Sequence, residues 1–109
     1  MPFKREYIPE TIGAEQAVHC KGPMLIEFGT NWCGFCKAAQ PSIEAAMERH
    51  PGVEHLKVED GKGRQLGRNF GVKLWPTLVF LRDGHEVARL VRPGSQEDID
   101  TALAQIQDR

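Results

Sequence analysis

The sequence lacks the features typical of membrane proteins and of nucleic-acid-binding proteins. Its 109 residues contain no apolar run close to the roughly 18 residues that a membrane-spanning helix needs. Basic and acidic residues nearly balance, 14 against 15, so the net charge of −1 offers no attraction to nucleic acid or to an anionic membrane. The start, MPFKREYIPE, has no apolar stretch of the secretory kind. These absences favour a cytoplasmic protein, although a periplasmic or otherwise exported chain whose signal peptide had been removed would look the same.

Cysteine is scarce as well. A secreted domain of this length that depended on disulfides would normally contain more cysteines, and an even number of them. This chain has three, of which Cys33 and Cys36 are paired by their spacing and Cys20 is left over. No repeat, low-complexity tract or linker divides the sequence. We therefore expect a single domain over residues 1–109, with one modest hydrophobic core.

Hydrophobic periodicity and turn residues predict the order of the elements. They are a helix over 10–20, a buried strand over 24–28, a helix over 33–49, a strand over 53–60, at most a short helix within 61–72, a hairpin closed by Asp83-Gly84, and a final helix capped by Ser95. Pro41 should kink the second of these helices. This order predicts an α/β fold with a mixed sheet and helices on both of its faces.

The segment GTNWCGFCKAAQP, residues 29–41, places two cysteines at the start of a predicted helix. There Cys33 faces the unsatisfied N–H groups of the first turn and the positive end of the helix dipole, which favour the nucleophilic thiolate. Cys36 lies one turn further in, near enough to form a disulfide and more buried. The pattern predicts an exposed attacking cysteine and an inner resolving cysteine.

Two other interpretations of the pair are weaker. A structural cross-link around a loop of about four residues would stabilise the fold by only about 2 kcal/mol, against about 5 kcal/mol for a long loop. A zinc site would need a second pair of ligands, and among the histidines only His50 and His55 have a suitable spacing. Electron exchange is the best interpretation, and no metal is expected.

The likeness to the thioredoxin family extends well beyond the two cysteines. The segment WCGFCK, residues 32–37, resembles the active-site motif of that family and differs from it at one position. Pro41 falls where the family kinks its active-site helix. The segment WPT, residues 75–77, resembles the cis-proline segment that precedes the hairpin in the family. The resemblance covers roughly residues 10 to 107.

The resemblance implies a thioredoxin fold with a mixed sheet of four to five strands. It also implies a thiol-disulfide oxidoreductase in which Cys33 and Cys36 are catalytic and form the redox-active disulfide. The expected substrate-binding residues are Trp32, Gly34, Phe35, Trp75, Pro76 and Arg92. Expected partners are disulfide-containing protein substrates and a reductase or another thiol donor, and the chain is expected to act as a monomer without a cofactor.

Glu27 is an acid in the middle of the apolar strand MLIEF. The simplest interpretation is that it points to solvent from an edge of the sheet. The matching position in thioredoxins is a buried catalytic acid beneath the cysteines, usually aspartate, and burial would raise its pKa and let it accept the proton of Cys36. His55 and Lys57 follow on the next predicted strand. Either could partner Glu27, or both could lie on a solvated face.

Four departures from the family bear on specificity. Phe35 replaces a proline, Gly29 replaces a second tryptophan, Trp75 precedes the cis-proline where smaller residues are common, and Arg92 replaces a glycine of the substrate groove. Phe35 brings no charge between the cysteines, unlike the histidine of many oxidases and isomerases, which favours a reductant. An exported disulfide oxidase or isomerase is the alternative enzyme, and a redox-sensitive binding module with little turnover is the alternative outside catalysis.

The aromatic residues near the cysteines predict a docking surface. If the Trp75–Pro76 bond is cis, the chain turns there and brings Trp75 beside Cys33, where it joins Trp32 and Phe35. Arg92 would then add a positive charge to the same rim. The alternative is that Trp75 packs inward and Arg92 lies in solvent.

Overall fold

The computed structural model describes Tyr7 and residues 21–61 and 65–107. The elements in this part of the chain are β1 (Pro23–Gly29), α1 (Gly34–Glu48), β2 (Glu54–Glu59), α2 (Gln65–Asn69), β3 (Thr77–Arg82), β4 (His85–Val91) and α3 (Gln96–Ile106). Their order agrees with the prediction. The bounds of β1, α1 and β2 differ from the predicted ones by one residue at each end, and α2 lies within the segment where at most a short helix was predicted. The helix predicted over 10–20 and the unpaired Cys20 lie outside the described residues.

The four described strands form one mixed sheet in the order β2-β1-β3-β4. Strand β1 runs parallel to β2, whereas β3 is antiparallel to both β1 and β4. Because β1 has a neighbour on each side, Glu27 lies between Lys57 of β2 and Leu78 of β3 rather than at an edge. The sheet agrees with the α/β thioredoxin fold and the strand number expected from the sequence.

Helices cover both faces of the sheet. On one face α1 and α3 bury a cluster with β1 and β3, and its members include Leu25, Ile43, Phe80 and Leu103. On the other face Leu66 of α2 packs in a second cluster formed mainly by strand residues. Among the described helices, none is long and apolar enough to cross a membrane.

Local sequence signals account for the ends of several elements. Asp83 and Gly84 have φ angles of 51° and 84°, the left-handed pair of a type I′ turn, and they join β3 to β4 as predicted. Ser95 caps α3, where its side chain accepts a hydrogen bond from the backbone of Asp98 at 3.2 Å. Pro41 lies inside α1, and that helix begins immediately after Cys33. The two cysteines are thereby held at the end of a central strand.

Candidate active site

Cys33 and Cys36 occupy the first turn of α1, and both are free thiols. Cys33 is the N-cap, and its Sγ accepts a hydrogen bond from the backbone N–H of Cys36 at 3.2 Å. Cys36 is fully buried, whereas Cys33 retains 9% of its surface. The order of exposure follows the prediction, but Cys33 is less exposed than expected. The reason is that Tyr7 and Trp75 pack around the pair.

The environment of Cys36 keeps it protonated. Burial is the largest of the effects that raise the pKa of the Cys36 thiol to about 12. A hydrogen bond with Cys33 and the charge of Cys33 act in the same direction, whereas hydrogen bonding with the backbone of Thr30 and with the Tyr7 side chain opposes them. Two of the effects that disfavour the thiolate therefore depend on the chemical state of Cys33.

Glu27 lies in the interior beneath the cysteines, and none of its surface is exposed. Its Oε1 lies 2.9 Å from Nε2 of His55, and its Oε2 accepts hydrogen bonds from Nε2 of Gln40 at 2.9 Å and from the Tyr7 hydroxyl. The prediction that Glu27 is buried is confirmed, and the alternative of an acid pointing to solvent is wrong. Its hydrogen-bonding partners Tyr7 and His55 are buried, and Gln40 is partly buried.

The predicted alternatives for His55 and Lys57 are resolved in favour of burial, since each side chain belongs to a residue only 2% exposed. His55 contacts Glu27 directly, whereas Nζ of Lys57 donates to Oε1 of Gln40 at 2.6 Å. Gln40 also donates to the carbonyl of Cys36 at 2.8 Å and so links the carboxylate to the active-site helix. The sequence analysis missed Gln40. Its position four residues after Cys36, one helical turn away, was the available signal.

The expected direction of the Glu27 pKa shift was wrong. Burial is the largest single influence and pushes the pKa of Glu27 upward. The hydrogen bond and positive charge of His55, the charge of Lys57 and the Gln40 amide together outweigh burial, so the pKa lies below its ordinary value. Glu27 is therefore a carboxylate at neutral pH, held in that form by its partners.

The aromatic residues predicted to surround Cys33 are brought together. The Trp75–Pro76 peptide bond is cis. The rings of Trp32 and Trp75 meet edge to face, with their centroids 5.7 Å apart and their planes at 79°. Trp32 is 71% exposed and Phe35 is 59% exposed, whereas Trp75 is half-buried. We call Trp32, Phe35 and Trp75 the aromatic rim. Gly34, between the cysteines, is exposed.

Arg92 completes the aromatic rim rather than extending freely into solvent. Its guanidinium lies over the ring of Phe35, 3.9 Å from the centroid, and its Nε donates to the carbonyl of Trp75 at 2.7 Å. Its backbone N–H donates to the carbonyl of Pro76 at 2.9 Å. The φ angle of Arg92 is 51°, in the region that glycine adopts most readily. On the other side of the rim, Asp60 fixes the indole of Trp75 by accepting a hydrogen bond from its Nε1 at 2.8 Å.

Similarity to known proteins identifies the family of this chain. The family model for thioredoxin matches residues 12–105. The chain belongs to the thioredoxin family. It is 39% identical to a thioredoxin of Chlamydia muridarum over 70 residues, which is 64% of this chain and 69% of that protein. The structure of thioredoxin 2 from Pseudomonas aeruginosa PAO1 in its reduced form is 53% identical, with a TM-score of 0.84 over 95% of this chain and 96% of that one. The structure of Fasciola hepatica thioredoxin is 25% identical, with a TM-score of 0.71 over 85% of this chain and 90% of that one.

Membership of the thioredoxin family makes this protein a thiol-disulfide oxidoreductase that acts on disulfide-containing substrates. Cys33 and Cys36 fit the Cys-x-x-Cys motif of the family, and both are free thiols at the start of α1. Within the described part of the chain, no three His, Cys, Asp or Glu side chains are grouped so that they could hold a metal ion.

The structure of this thioredoxin-family protein also gives Tyr7 a place in the site, which the sequence analysis did not foresee. Tyr7 is 4% exposed and packs with Cys33 and Cys36. The available signal was Gly29, because an isolated glycine at the end of a buried strand often marks the close approach of another group. A Cβ atom at Gly29 would lie 2.6 Å from Sγ of Cys36 and 2.7 Å from Cζ of Tyr7. Gly29, which stands where the family usually has a second tryptophan, thus leaves room for the Tyr7 ring beside Cys36.

The backbone of Arg92 allows a prediction about stability. We expect Arg92→Gly to be more stable than Arg92→Ala by about 1 kcal/mol in the free energy of unfolding, because only glycine adopts this positive φ angle without a steric cost. Both variants lose the same contacts with Phe35 and Trp75, so alanine is a matched control. Chemical denaturation of the two reduced proteins measures the difference. Equal stabilities would contradict a left-handed backbone at Arg92.

Proposed function

We propose that this protein works mainly as a reductant of protein disulfides, with Cys33 as the nucleophile and Cys36 as the resolving thiol. The observation that carries the proposal is the contrast between the two cysteines: Cys33 caps the helix and keeps 9% of its surface exposed, while Cys36 is fully buried and its pKa is raised to about 12. A disulfide oxidase depends on a strongly stabilised reduced form. Here the thiolate of Cys36 is disfavoured, and the residues between the cysteines, Gly34 and Phe35, have no charge to stabilise it.

The reaction proceeds in two exchange steps. The Cys33 thiolate attacks one sulfur of the substrate disulfide, forming a mixed disulfide and releasing the first substrate thiolate. Cys36 then loses its proton and attacks Sγ of Cys33, which releases the second substrate thiolate and leaves a Cys33–Cys36 disulfide. Two electrons pass to the substrate. A reductase or another thiol donor restores the two thiols.

Formation of the mixed disulfide itself activates Cys36. In the free protein a hydrogen bond and the charge of Cys33 raise the pKa of Cys36. Once Cys33 is bonded to the substrate its sulfur is no longer charged, so both effects weaken and the pKa of Cys36 falls when its thiolate is needed. Glu27 is ionised and linked to the pair through Gln40 and Tyr7, and it serves as the base that accepts the proton. Because its partners lower its pKa, Glu27 holds this proton only transiently, while Cys36 attacks.

The substrate-binding surface in this proposal is the aromatic rim with Gly34, Pro76 and Arg92. Exposed aromatic side chains around a reactive centre commonly mark a docking site, because they bury a large apolar area with little loss of conformational entropy. Arg92 adds a positive charge beside Phe35. We infer that the preferred substrates are fewer than those of a thioredoxin with an open groove, and that they are acidic near the attacked cysteine. The proposal includes a monomer working in the cytoplasm, where reduced thiols are maintained.

The test of the two roles is the capture of substrate. We expect Cys36→Ser to accumulate mixed disulfides through Cys33, because the resolving thiol is missing, whereas Cys33→Ser should capture almost nothing. Both variants are incubated with a disulfide-containing protein such as insulin, quenched with acid and alkylating agent, and separated without reduction. Equal capture by the two variants would contradict the assigned asymmetry.

The direction of electron flow is tested separately by the reduction potential of the Cys33–Cys36 pair. A reductant should lie near the thioredoxin value of about −270 mV, and an oxidase nearer to −120 mV. Catalysis of insulin reduction with dithiothreitol or a reductase system distinguishes an enzyme from a redox-sensitive binding module, which would bind substrate with little turnover.

Specificity is tested by Trp75→Ile and Arg92→Gly. We expect each variant to change the ranking of rates on a panel of disulfide substrates, and we expect Arg92→Gly to lose preference for substrates with acidic residues near the disulfide. The unmodified protein is one control. Small disulfides, which are too short to contact the aromatic rim and Arg92 together, are the other. An unchanged ranking in both variants would contradict a specialised binding surface.

A further inference from the structure

Tyr7 is held in the active site by both backbone and side-chain contacts. Its backbone N–H donates to Oδ1 of Asn31 at 2.9 Å, and its carbonyl accepts from Nδ2 of the same residue at 3.0 Å. Nζ of Lys57 lies over the ring, 4.6 Å from the centroid. The tyrosine is therefore fixed on three sides and does not depend on its hydroxyl alone for its position.

The Tyr7 hydroxyl lies between the resolving thiol and the buried carboxylate. It donates to Oε2 of Glu27, and it also has a hydrogen-bonding interaction with the thiol of Cys36. Gly29 makes this contact possible, because a Cβ atom there would lie 2.6 Å from the Cys36 sulfur and 2.8 Å from the Tyr7 oxygen. Burial and the nearby carboxylate raise the pKa of Tyr7, so the group remains a neutral phenol that can donate and accept at once.

We propose that Tyr7 is a further catalytic residue, which relays the proton of Cys36 to Glu27 during the resolving step. This inference rests on the proposed function, in which Glu27 is the base. In the mixed disulfide, the Cys36 S–H proton passes to the Tyr7 oxygen while the Tyr7 O–H proton passes to Oε2 of Glu27. The Cys36 thiolate then attacks Sγ of Cys33, the bond between Cys33 and the substrate sulfur breaks, and the substrate thiolate leaves with the electron pair.

The relay leaves every group with a hydrogen-bond partner, and Glu27 keeps the proton only until Cys36 has attacked, because its partners favour the carboxylate. After transfer, Tyr7 is again a neutral phenol, its new proton points at the Cys36 thiolate, and protonated Glu27 donates to the Tyr7 oxygen. A hydroxyl that donates to a buried thiolate stabilises it, because charge-assisted hydrogen bonds are stronger than neutral ones. A pocket of about 70 Å³, lined by Tyr7, Cys36, Gln40 and Lys57 among others, gives the site an opening through which the proton can later exchange with solvent.

The experiment separates the two exchange steps. Reduced protein is mixed in a stopped-flow instrument with one equivalent of an aromatic disulfide whose thiolate is coloured, so the first release follows attack by Cys33 and the second follows attack by Cys36. We expect Tyr7→Phe, which keeps the ring, to leave the first release unchanged and to slow the second about a hundredfold, a usual effect of losing a proton-transfer group. Asn31→Ala, which retains the hydroxyl but releases the backbone, should slow the second release less.

Solvent isotope measurements provide the readout that a merely structural role would not change. In mixtures of light and heavy water, the second release of the unmodified protein should depend on deuterium content along a curved line, because two protons move together. Tyr7→Phe should give a straight line. Thermal unfolding of both variants checks that they fold. If Tyr7→Phe fails to fold, Asn31→Ala still tests the inference.

Four outcomes distinguish failure of the relay from failure of the proposed function. A second release in Tyr7→Phe within about twofold of the unmodified rate, or a straight isotope plot for the unmodified protein, would overturn the relay. If Glu27→Gln slows the second release while Tyr7→Phe does not, the relay is wrong and Glu27 as the base stands. If the unmodified protein completes both releases but reduces no protein disulfide, the proposed function fails, while the effect of Tyr7→Phe still decides the role of Tyr7.

Discussion

Glu27→Ala is expected to lower the free energy of unfolding by about 3–5 kcal/mol, because it removes a buried carboxylate and leaves several buried groups without their acceptor. His55 would remain fully buried without the carboxylate that lies 2.9 Å from its Nε2. Tyr7 and Gln40 would each lose an acceptor as well. Urea denaturation of the reduced protein at neutral pH, followed by circular dichroism, measures the change.

Two further variants identify the cause of that loss. Glu27→Gln keeps the shape and one acceptor oxygen, so we expect it to cost less than alanine. The double variant Glu27→Leu with His55→Leu removes both polar side chains of the pair, and we expect it to be more stable than Glu27→Ala, since exchanging a whole buried pair for apolar groups is often nearly neutral. A Glu27→Ala protein as stable as the unmodified one would contradict the buried network.

The same carboxylate should make the fold sensitive to acid. The pKa of Glu27 is lowered in the folded state, so its contribution to stability is complete above the unfolded-state pKa of about 4.3 and is lost as the pH falls below that value and through the lower folded-state pKa. We therefore expect the stability of the unmodified protein to fall more steeply below about pH 4 than that of Glu27→Gln. Parallel curves for the two proteins would show that the carboxylate is not held in its ionised form.

Catalysis gives an independent readout of Glu27. If it accepts the proton of Cys36, Glu27→Ala should slow the resolving step and leave the attack by Cys33 unchanged. An effect on the second step alone cannot come from a general loss of folded protein, because both steps are measured in the same molecules. Intact turnover in Glu27→Ala would contradict the role of Glu27 as a base.

Features of the fold that depend on adjacent residues were predictable from the sequence. Asp83-Gly84 specifies a hairpin because both positions need a positive φ angle, and Ser95 specifies a helix start because its side chain satisfies a free N–H group. The cysteine pair was assigned in the same way, from a strand, a short loop and a helix start in sequence. Each of these signals is contained within a few residues.

Contacts between distant residues that neither a local pattern nor the family resemblance reports were not predictable. Tyr7 lies 20 positions before Glu27, and no local pattern reports that their side chains meet. The direction of the Glu27 pKa shift failed for the same reason. Burial could be inferred from the apolar strand, but the size of the opposing effect depends on His55 approaching within 2.9 Å across the sheet, which only the structure shows.

The reduction potential of the Cys33–Cys36 pair is expected to keep falling with rising pH well beyond the range usual for thiols. Reduction of the disulfide takes up one proton for every thiol that stays protonated, and each such proton lowers the potential by about 30 mV per pH unit. Because the pKa of Cys36 is raised to about 12, at least this slope should persist from about pH 9 to about pH 11. Two ordinary thiols with a pKa of about 8.5 would give a nearly constant potential in that range.

The raised pKa of Cys36 should also make the stability of the reduced protein depend on pH. A thiol whose pKa is raised by folding stabilises the fold fully below its unfolded-state pKa of about 8.5, and this contribution is lost as the pH rises toward the folded-state value. The oxidised protein has no thiol proton at Cys36, so its stability should change less than that of the reduced protein over this range. Equilibration with dithiothreitol at several pH values gives the potential, and urea denaturation of both forms gives the stabilities. A potential that becomes constant near pH 9, together with parallel stability curves, would mean that Cys36 ionises as an ordinary thiol. Burial would then not raise the pKa of Cys36 and could not separate the roles of the two cysteines.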